Sequence, residues 1–288
     1  MSKILVTGAT GTIGKEVVRA LRAKNLEVRA AARTPAKLEE LKQLGAEVVA
    51  LDFEDPASVK AAFQGVDRVF LLTPFVEDPL PLVKGALQAA KEAGVGFVLR
   101  MSAGGADADS PAKLTREHGL GENLVKESGL AWTIIQPTFF MDNFHNYSAQ
   151  SIRGQSSIYG AGATGKTAYV SSADVGAVAA EILAKPDKHA SKTYSITGAE
   201  AVTDEQAAAT ISEVLGREIK FVNMSGPDYD AALRQWGVPG WQVDGLVFLE
   251  SMKANGWATQ TASTVKDLTG REPERLRSFL ERNKSLLA

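Results

Sequence analysis

Through its first half the chain alternates short runs of apolar and β-branched residues with longer stretches whose apolar positions recur every three or four residues. The short runs fall at Lys3–Thr7, Glu27–Ala31, Glu47–Leu51, Arg68–Leu72, Phe97–Met101 and Thr133–Gln136, and each predicts a strand with a helix between it and the next. Strands separated in this way pair in parallel, and nearly unbroken apolar runs fit strands covered on both faces. The pattern therefore predicts an α/β fold with a doubly wound parallel sheet, in which ligands lie beyond the C-terminal ends of the strands.

The alternation breaks near Gln150, where Gly154, Gly160, Gly162 and Gly165 punctuate a polar stretch. A helix with Asp174 as its expected cap and a strand near Tyr194–Thr197 follow. Beyond Gly198, helical patterns enclose Trp236, Trp241 and Trp257. We expect residues 1–150, with a returning segment at about 168–198, to form the sheet domain. Residues 151–167 and 199–288 then make a smaller, mostly helical C-terminal lobe over the strand ends, suited to binding substrate.

A chain of 288 residues, 44% hydrophobic and 23% charged, has ample material for a large core. The formal charge of -2 gives no basic surface for a nucleic acid. There is no cysteine, which removes thiolate chemistry and fits a reducing, cytoplasmic setting. The chain enters its first strand at once, leaving no room for a cleaved leader, and no apolar run reaches the ~20 residues of a membrane span.

The first expected strand is followed by Gly8-Ala9-Thr10-Gly11-Thr12-Ile13-Gly14 and then by an amphipathic helix through Val17, Val18 and Leu21. Gly8 permits the tight turn, Gly11 lets backbone amides approach a pyrophosphate, and Gly14 lets helix and strand pack closely. Placed between strand and helix, this spacing is the dinucleotide signature of a Rossmann-type sheet, with the phosphates at the helix N-terminus. The second strand ends in Ala32-Arg33-Thr34, where an NAD-selective protein carries an acid for the ribose 2′-hydroxyl. Arg33, with Lys37 one turn on, instead offers charge to a 2′-phosphate, which points to NADP(H). By position, Asp52 and Phe53 flank the adenine, and Leu72-Thr73-Pro74-Phe75 passes the middle of the cofactor.

These residues, together with Ser102, His118, Glu122 and the segment Gln136-Pro137-Thr138-Phe139-Phe140-Met141-Asp142-Asn143, resemble the NmrA-like branch of atypical short-chain dehydrogenase/reductases. The resemblance covers essentially the whole chain and assigns Pro137 to the cofactor. It implies one of two functions: NADPH-dependent reduction of quinones, dyes or iminium compounds, or non-catalytic NADP(H) sensing with a protein partner. The Tyr-x-x-x-Lys pair of classical members, whose tyrosine delivers a proton to a carbonyl, is missing. None of the five tyrosines has Lys four residues on, and by register Leu114 and His118 stand in its place.

Acceptors that need no concerted protonation remain: a quinone, an imine or iminium, an azo compound or a cationic dye. For these, positioning supplies most of the catalysis. Expected walls of the substrate pocket are Phe75, Phe139, Phe140, Met141, Trp236 and Trp241, with Asn143 and His145 near its mouth. His118 and Glu122 share a helix face, placed to orient the nicotinamide ribose or relay a proton from solvent, or else forming a helix-stabilising pair at or near the surface. Ser102 follows the fifth strand, placed to hydrogen-bond substrate or cofactor, or else its own turn. His189 reads as a solvated loop residue, and three unclustered histidines make a metal site improbable. Gly160–Lys166 imitates the tail of a phosphate-binding loop but lacks its spacing and reads as a loop into a strand at Ala168–Ser171, with Lys166 a marginal candidate for ligand contact. An epimerase or dehydratase is a third class, disfavoured by the missing tyrosine. A homodimer is compatible with such a fold, though no patch in the sequence marks one.

Overall fold

The computed structural model describes residues 2–288. Its strands are β1 (Lys3–Val6), β2 (Glu27–Ala32), β3 (Glu47–Ala50), β4 (Arg68–Leu71), β5 (Phe97–Met101), β6 (Ala131–Pro137), β7 (Ser157–Gly160), β8 (Lys166–Thr167), β9 (Lys192–Ile196), β10 (Val202–Thr203) and β11 (Lys220–Asn223). Seven of them form one sheet in the order β3-β2-β1-β4-β5-β6-β9, every neighbouring pair parallel. This is the doubly wound arrangement the alternating pattern predicts. The order reverses between β1 and β4, so a crevice opens there beyond the strand ends.

Helices cover both faces for the reason the pattern gives. In Thr12–Ala23 the buried positions Gly14, Val17, Val18 and Leu21 fall on one stripe. They pack with Val175, Val178 and Ala179 of the helix Ser172–Ala184 against Ile4, Val6 and Phe70. The opposite face buries Leu5, Val69, Leu71 and Val98 under the helices Pro56–Phe63 and Leu80–Glu92 and under Val125 of Lys113–Lys126.

A third core, around Phe144, Ile152, Tyr169, Ile211 and Phe279, holds together the helices beyond the strand ends. Two small sheets belong to this part, β11 parallel to β7 and β10 antiparallel to β8. Near its centre Lys253, buried, donates to Asp204 at 2.7 Å and to Glu250 at 2.9 Å. Tyr169 gives its hydroxyl proton to Asp204, and Glu250 accepts the Ala161 amide at 2.8 Å.

Three expectations need correction. The helix Ser172–Ala184 is capped by Ser171, whose hydroxyl accepts from the Asp174 amide. Asp174, expected as the cap, lies one turn in and accepts the Glu274 amide at 2.7 Å. His189 is buried, with Nδ1 2.8 Å from the Tyr194 hydroxyl, so a loop rich in lysine and aspartate hides an inward-facing imidazole. The expected strand at Ala168–Ser171 reduces to one bridge between Val170 and Phe140, and the strand before it is Lys166–Thr167. No helix among the described residues is long and apolar enough to cross a membrane.

Candidate active site

The site starts where β1 ends. The Thr7 hydroxyl donates to the Leu72 carbonyl and accepts from the Leu72 amide, both at 2.8 Å, tying the ends of β1 and β4 together. Gly8 then turns the chain at φ +65°, in the left-handed region that glycine enters without strain. A Cβ on Gly14 would fall 2.3 Å from the Gly8 carbonyl oxygen and 2.8 Å from Ala9 Cα, so only glycine lets the helix sit this close to the turn. Gly11 precedes Thr12–Ala23 with no side-chain cap and no acid in the first turn. The first amides of this 12-residue helix are therefore left for a ligand, and its positive end has no internal counter-charge. A dinucleotide pyrophosphate fits this cradle. Thr10 and Thr12 lie at its rim, where Asn146 Nδ2 reaches Thr12 Oγ1 at 3.4 Å.

Arg33 and Lys37 stand exposed just past β2, next to β1 in the sheet. After β3, Asp52 accepts the Glu54 amide at 3.1 Å, which shapes the turn, and Phe53 packs against the sheet core.

A cavity of about 350 Å³ opens beyond the switch point, between Ile13 and the run Leu72, Thr73, Pro74 and Phe75. Arg100, Met101, Ser102 and Ala103 form another side, with Leu114, Glu117 and His118 from the helix Lys113–Lys126, and Phe140 and Tyr147 close it. Leu72 and His118, 46 positions apart in sequence, are brought together because β4 and β5 are neighbours with the helix laid over them.

His118 faces this cavity, and its buried Nδ1 has no hydrogen-bond partner among the described residues. Burial, helped by the nearby Arg100 charge, pushes its imidazole down to about 4, so it is neutral at pH 7. Glu122 shares the helix face but turns away from the cavity. Its buried carboxylate accepts from Ser102 Oγ at 2.7 Å, from Gln136 Nε2 at 2.7 Å and from Lys126 at 3.2 Å. The two do not form a stabilising pair at the surface: the imidazole lines the cavity while the buried carboxylate anchors Ser102 from behind.

Arg100 went unread in the sequence. It lies buried in β5, with Nη1 3.2 Å from the Leu71 carbonyl and Nη2 3.4 Å from Thr73 Oγ1. Burial pushes the guanidinium down to about 10, Glu122 opposing. The signal was present, since a charge in a run as apolar as Phe97–Met101 requires a local partner or a ligand. Tyr147, 80% exposed, left no comparable mark.

Several expected wall residues lie elsewhere. Phe139 and Met141 turn into the third core, with Phe139 edge-on to Tyr169 at 6.4 Å, while Phe140 between them meets the cavity. Pro137 is buried, its carbonyl accepting from Gly104 at 2.8 Å. Asn143 begins the short helix Asn143–Asn146 outside the cavity lining, and His145 stacks on Phe279 at 5.7 Å. Trp241 packs on Phe75, ring centres 4.9 Å apart, beside the mouth. Trp236 lines a different cavity, with Tyr159. Lys166 is exposed in β8, away from both cavities.

The fold and the uncapped glycine turn define a dinucleotide-binding protein of the doubly wound class. The model of a family described as NAD(P)H-binding matches residues 8–186. Over 276 residues the chain is 36% identical to an NAD(P)H azoreductase of Xenophilus azovorans, with 96% of each covered. A structure of an NADPH-dependent quinone oxidoreductase from Escherichia coli complexed with NADPH superposes with TM-score 0.86 at 30% identity, covering 97% of this chain and 99% of that one. The Citrobacter sp. triphenylmethane reductase complexed with NADP(H) shares the fold, with TM-score 0.84 at 24% identity over 99% and 100% of the two chains. The chain belongs to the NAD(P)H-binding family, as an atypical short-chain dehydrogenase/reductase of the NmrA-like kind. It is an NAD(P)H-dependent oxidoreductase working by hydride transfer.

Proposed function

We propose that the protein is an NADPH-dependent reductase of planar conjugated acceptors, with quinones and azo compounds as the preferred class. The observation that carries this reading is the continuous cavity from Ile13, on the phosphate-binding helix, to Leu114 and His118. In this reading the uncapped turn holds the pyrophosphate, Arg33 pairs with the 2′-phosphate, and the cavity receives the acceptor against the nicotinamide. Bound NADPH supplies the hydride.

The chain's own groups favour acceptors that need no strong acid. Leu114 has no proton to give, the Ser102 proton is engaged with Glu122, and His118 is neutral at pH 7. Hydride addition to a quinone or an azo bond leaves an anion stabilised by resonance, and a proton from water completes the two-electron reduction. The buried guanidinium of Arg100 beside the cavity suits an acceptor that gains negative charge more than one that begins as a cation. Phe75 and Phe140 supply apolar surface for a flat ring and exclude water. The azoreductase and quinone oxidoreductase names of the relatives agree with this class.

The test is NADPH oxidation by purified protein against menadione, benzoquinone, an uncharged azo compound, a cyclic imine and a cationic triarylmethane dye. Turnover should be fastest with a quinone or the azo compound. Tight NADPH binding with no turnover of any of them would replace this reading with that of a non-catalytic sensor.

A further inference from the structure

A second cavity, of about 520 Å³, lies in the smaller lobe between the helix Ala149–Gln155, β7 and the helix Gly226–Gln235. Its volume falls in the range of small-molecule sites. Its aromatic walls are Tyr147, Tyr159, Tyr229 and Trp236, and no carboxylate, lysine, arginine or histidine lines it. Trp236 is 54% exposed and Tyr147 80% exposed, surface that water covers at a cost unless a ligand does. Tyr159 is held in place: its hydroxyl donates to Gln155 at 2.7 Å, and its ring meets the Trp236 indole edge-on at 5.5 Å.

Tyr147 lines this cavity and also the one at His118, so the two adjoin across a single side chain. Phe75, 59% exposed, stands at the first cavity as Trp236 does at the second. Three of the most exposed large aromatic rings of the protein thus mark one path. From this placement we infer that the second cavity is a distal subsite for the acceptor. It takes the far aromatic ring of an elongated two-ring acceptor, uncharged at that end, whose near ring occupies the cavity beside His118. The inference rests on the reductase reading and narrows its substrate class from planar conjugated compounds to linked diaryl ones.

The test compares wild type with Trp236→Ala, a half-exposed position whose loss leaves the core intact, which circular dichroism and thermal unfolding check. With 4-aminoazobenzene as the two-ring acceptor and benzoquinone as the one-ring acceptor, the ratio of their kcat/KM values should fall about tenfold or more, through KM of the azo compound. Tenfold corresponds to about 1.4 kcal/mol. A ratio within twofold of wild type overturns the subsite. Equilibrium binding of azobenzene to the NADP⁺-loaded protein gives a readout independent of turnover. The expected result is an affinity at least tenfold weaker in Trp236→Ala, and equal affinity overturns the proposal. Absence of turnover with every acceptor would sink the reductase reading alone, leaving the binding comparison to decide the subsite.

Discussion

Replacing Gly14 by alanine adds one methyl group where the backbone leaves no room for it. The new Cβ would sit 2.3 Å from the Gly8 carbonyl oxygen, with Ala9 Cα at 2.8 Å. Ordinary contact begins near 3.4 Å, and the obstructing atoms are backbone, so no side chain can swing away. The helix must retreat from the turn by about 1 Å, which for an overpacked contact costs about 1–3 kcal/mol of stability. The same retreat draws the helix amides away from the pyrophosphate. A charge-assisted hydrogen bond contributes about 1.5–3 kcal/mol, so loss of one weakens NADPH binding roughly tenfold to a hundredfold. Gly85→Ala is the control. It lies exposed in Leu80–Glu92 with nothing within 4 Å of the added carbon, and alanine there should raise stability by up to about 1 kcal/mol. Urea unfolding and fluorescence titration with NADPH measure both effects. If Gly14→Ala bound NADPH as wild type does, at unchanged stability, the close-packing account of the turn would be wrong.

Further outcomes follow from the charges. Arg33→Ala should weaken NADPH about tenfold, by loss of a phosphate pairing, and leave NADH unchanged; parallel loss of both would show that Arg33 serves the turn instead. His118 is held at about 4, below its ordinary 6.5. Between those values, as pH falls, the unfolded chain gains a proton that the folded protein refuses. Stability fully present above 6.5 is therefore lost toward pH 4, by roughly 2–3 kcal/mol. His118→Asn should flatten that part of a pH series of urea melts, and an unaltered slope would refute it. Lys253→Met strands Asp204 and Glu250 without their buried cation and should cost about 3–5 kcal/mol; a loss below about 1 kcal/mol by chemical denaturation would show that the carboxylates find other partners.

The parallel sheet was legible because its inner strands are largely buried, as β1 and β4 are at their last three positions, leaving short, nearly continuous apolar runs in the sequence. The smaller lobe was less so: β8 and β10 are two residues each, too short for any period to register, and pair across a gap in sequence. At the site, the glycine turn could be read because backbone geometry demands those residues. The aromatic walls could not be read as a set. Phe139 lies at a bend, Phe140 in an isolated bridge and Met141 in a turn, so no strand or helix period sets which of the three meets the cavity. The depth of His189 was not legible either, since it depends on the Tyr194 hydroxyl bonded to its ring.

After β6 the chain contributes two short helices, β7 and β8 to the part held by the third core, lays the helix Ser172–Ala184 against the sheet and only then adds β9 beside β6. During synthesis, the edge of β6, with Ile134 and Ile135 both destined for full burial, waits unpaired while about 55 further residues are made. At ordinary elongation rates that takes roughly 3–11 seconds. An open edge beside apolar side chains is an invitation to foreign strands for that interval. The interval makes this stretch of synthesis the one in which the half-built sheet is most open to mispairing.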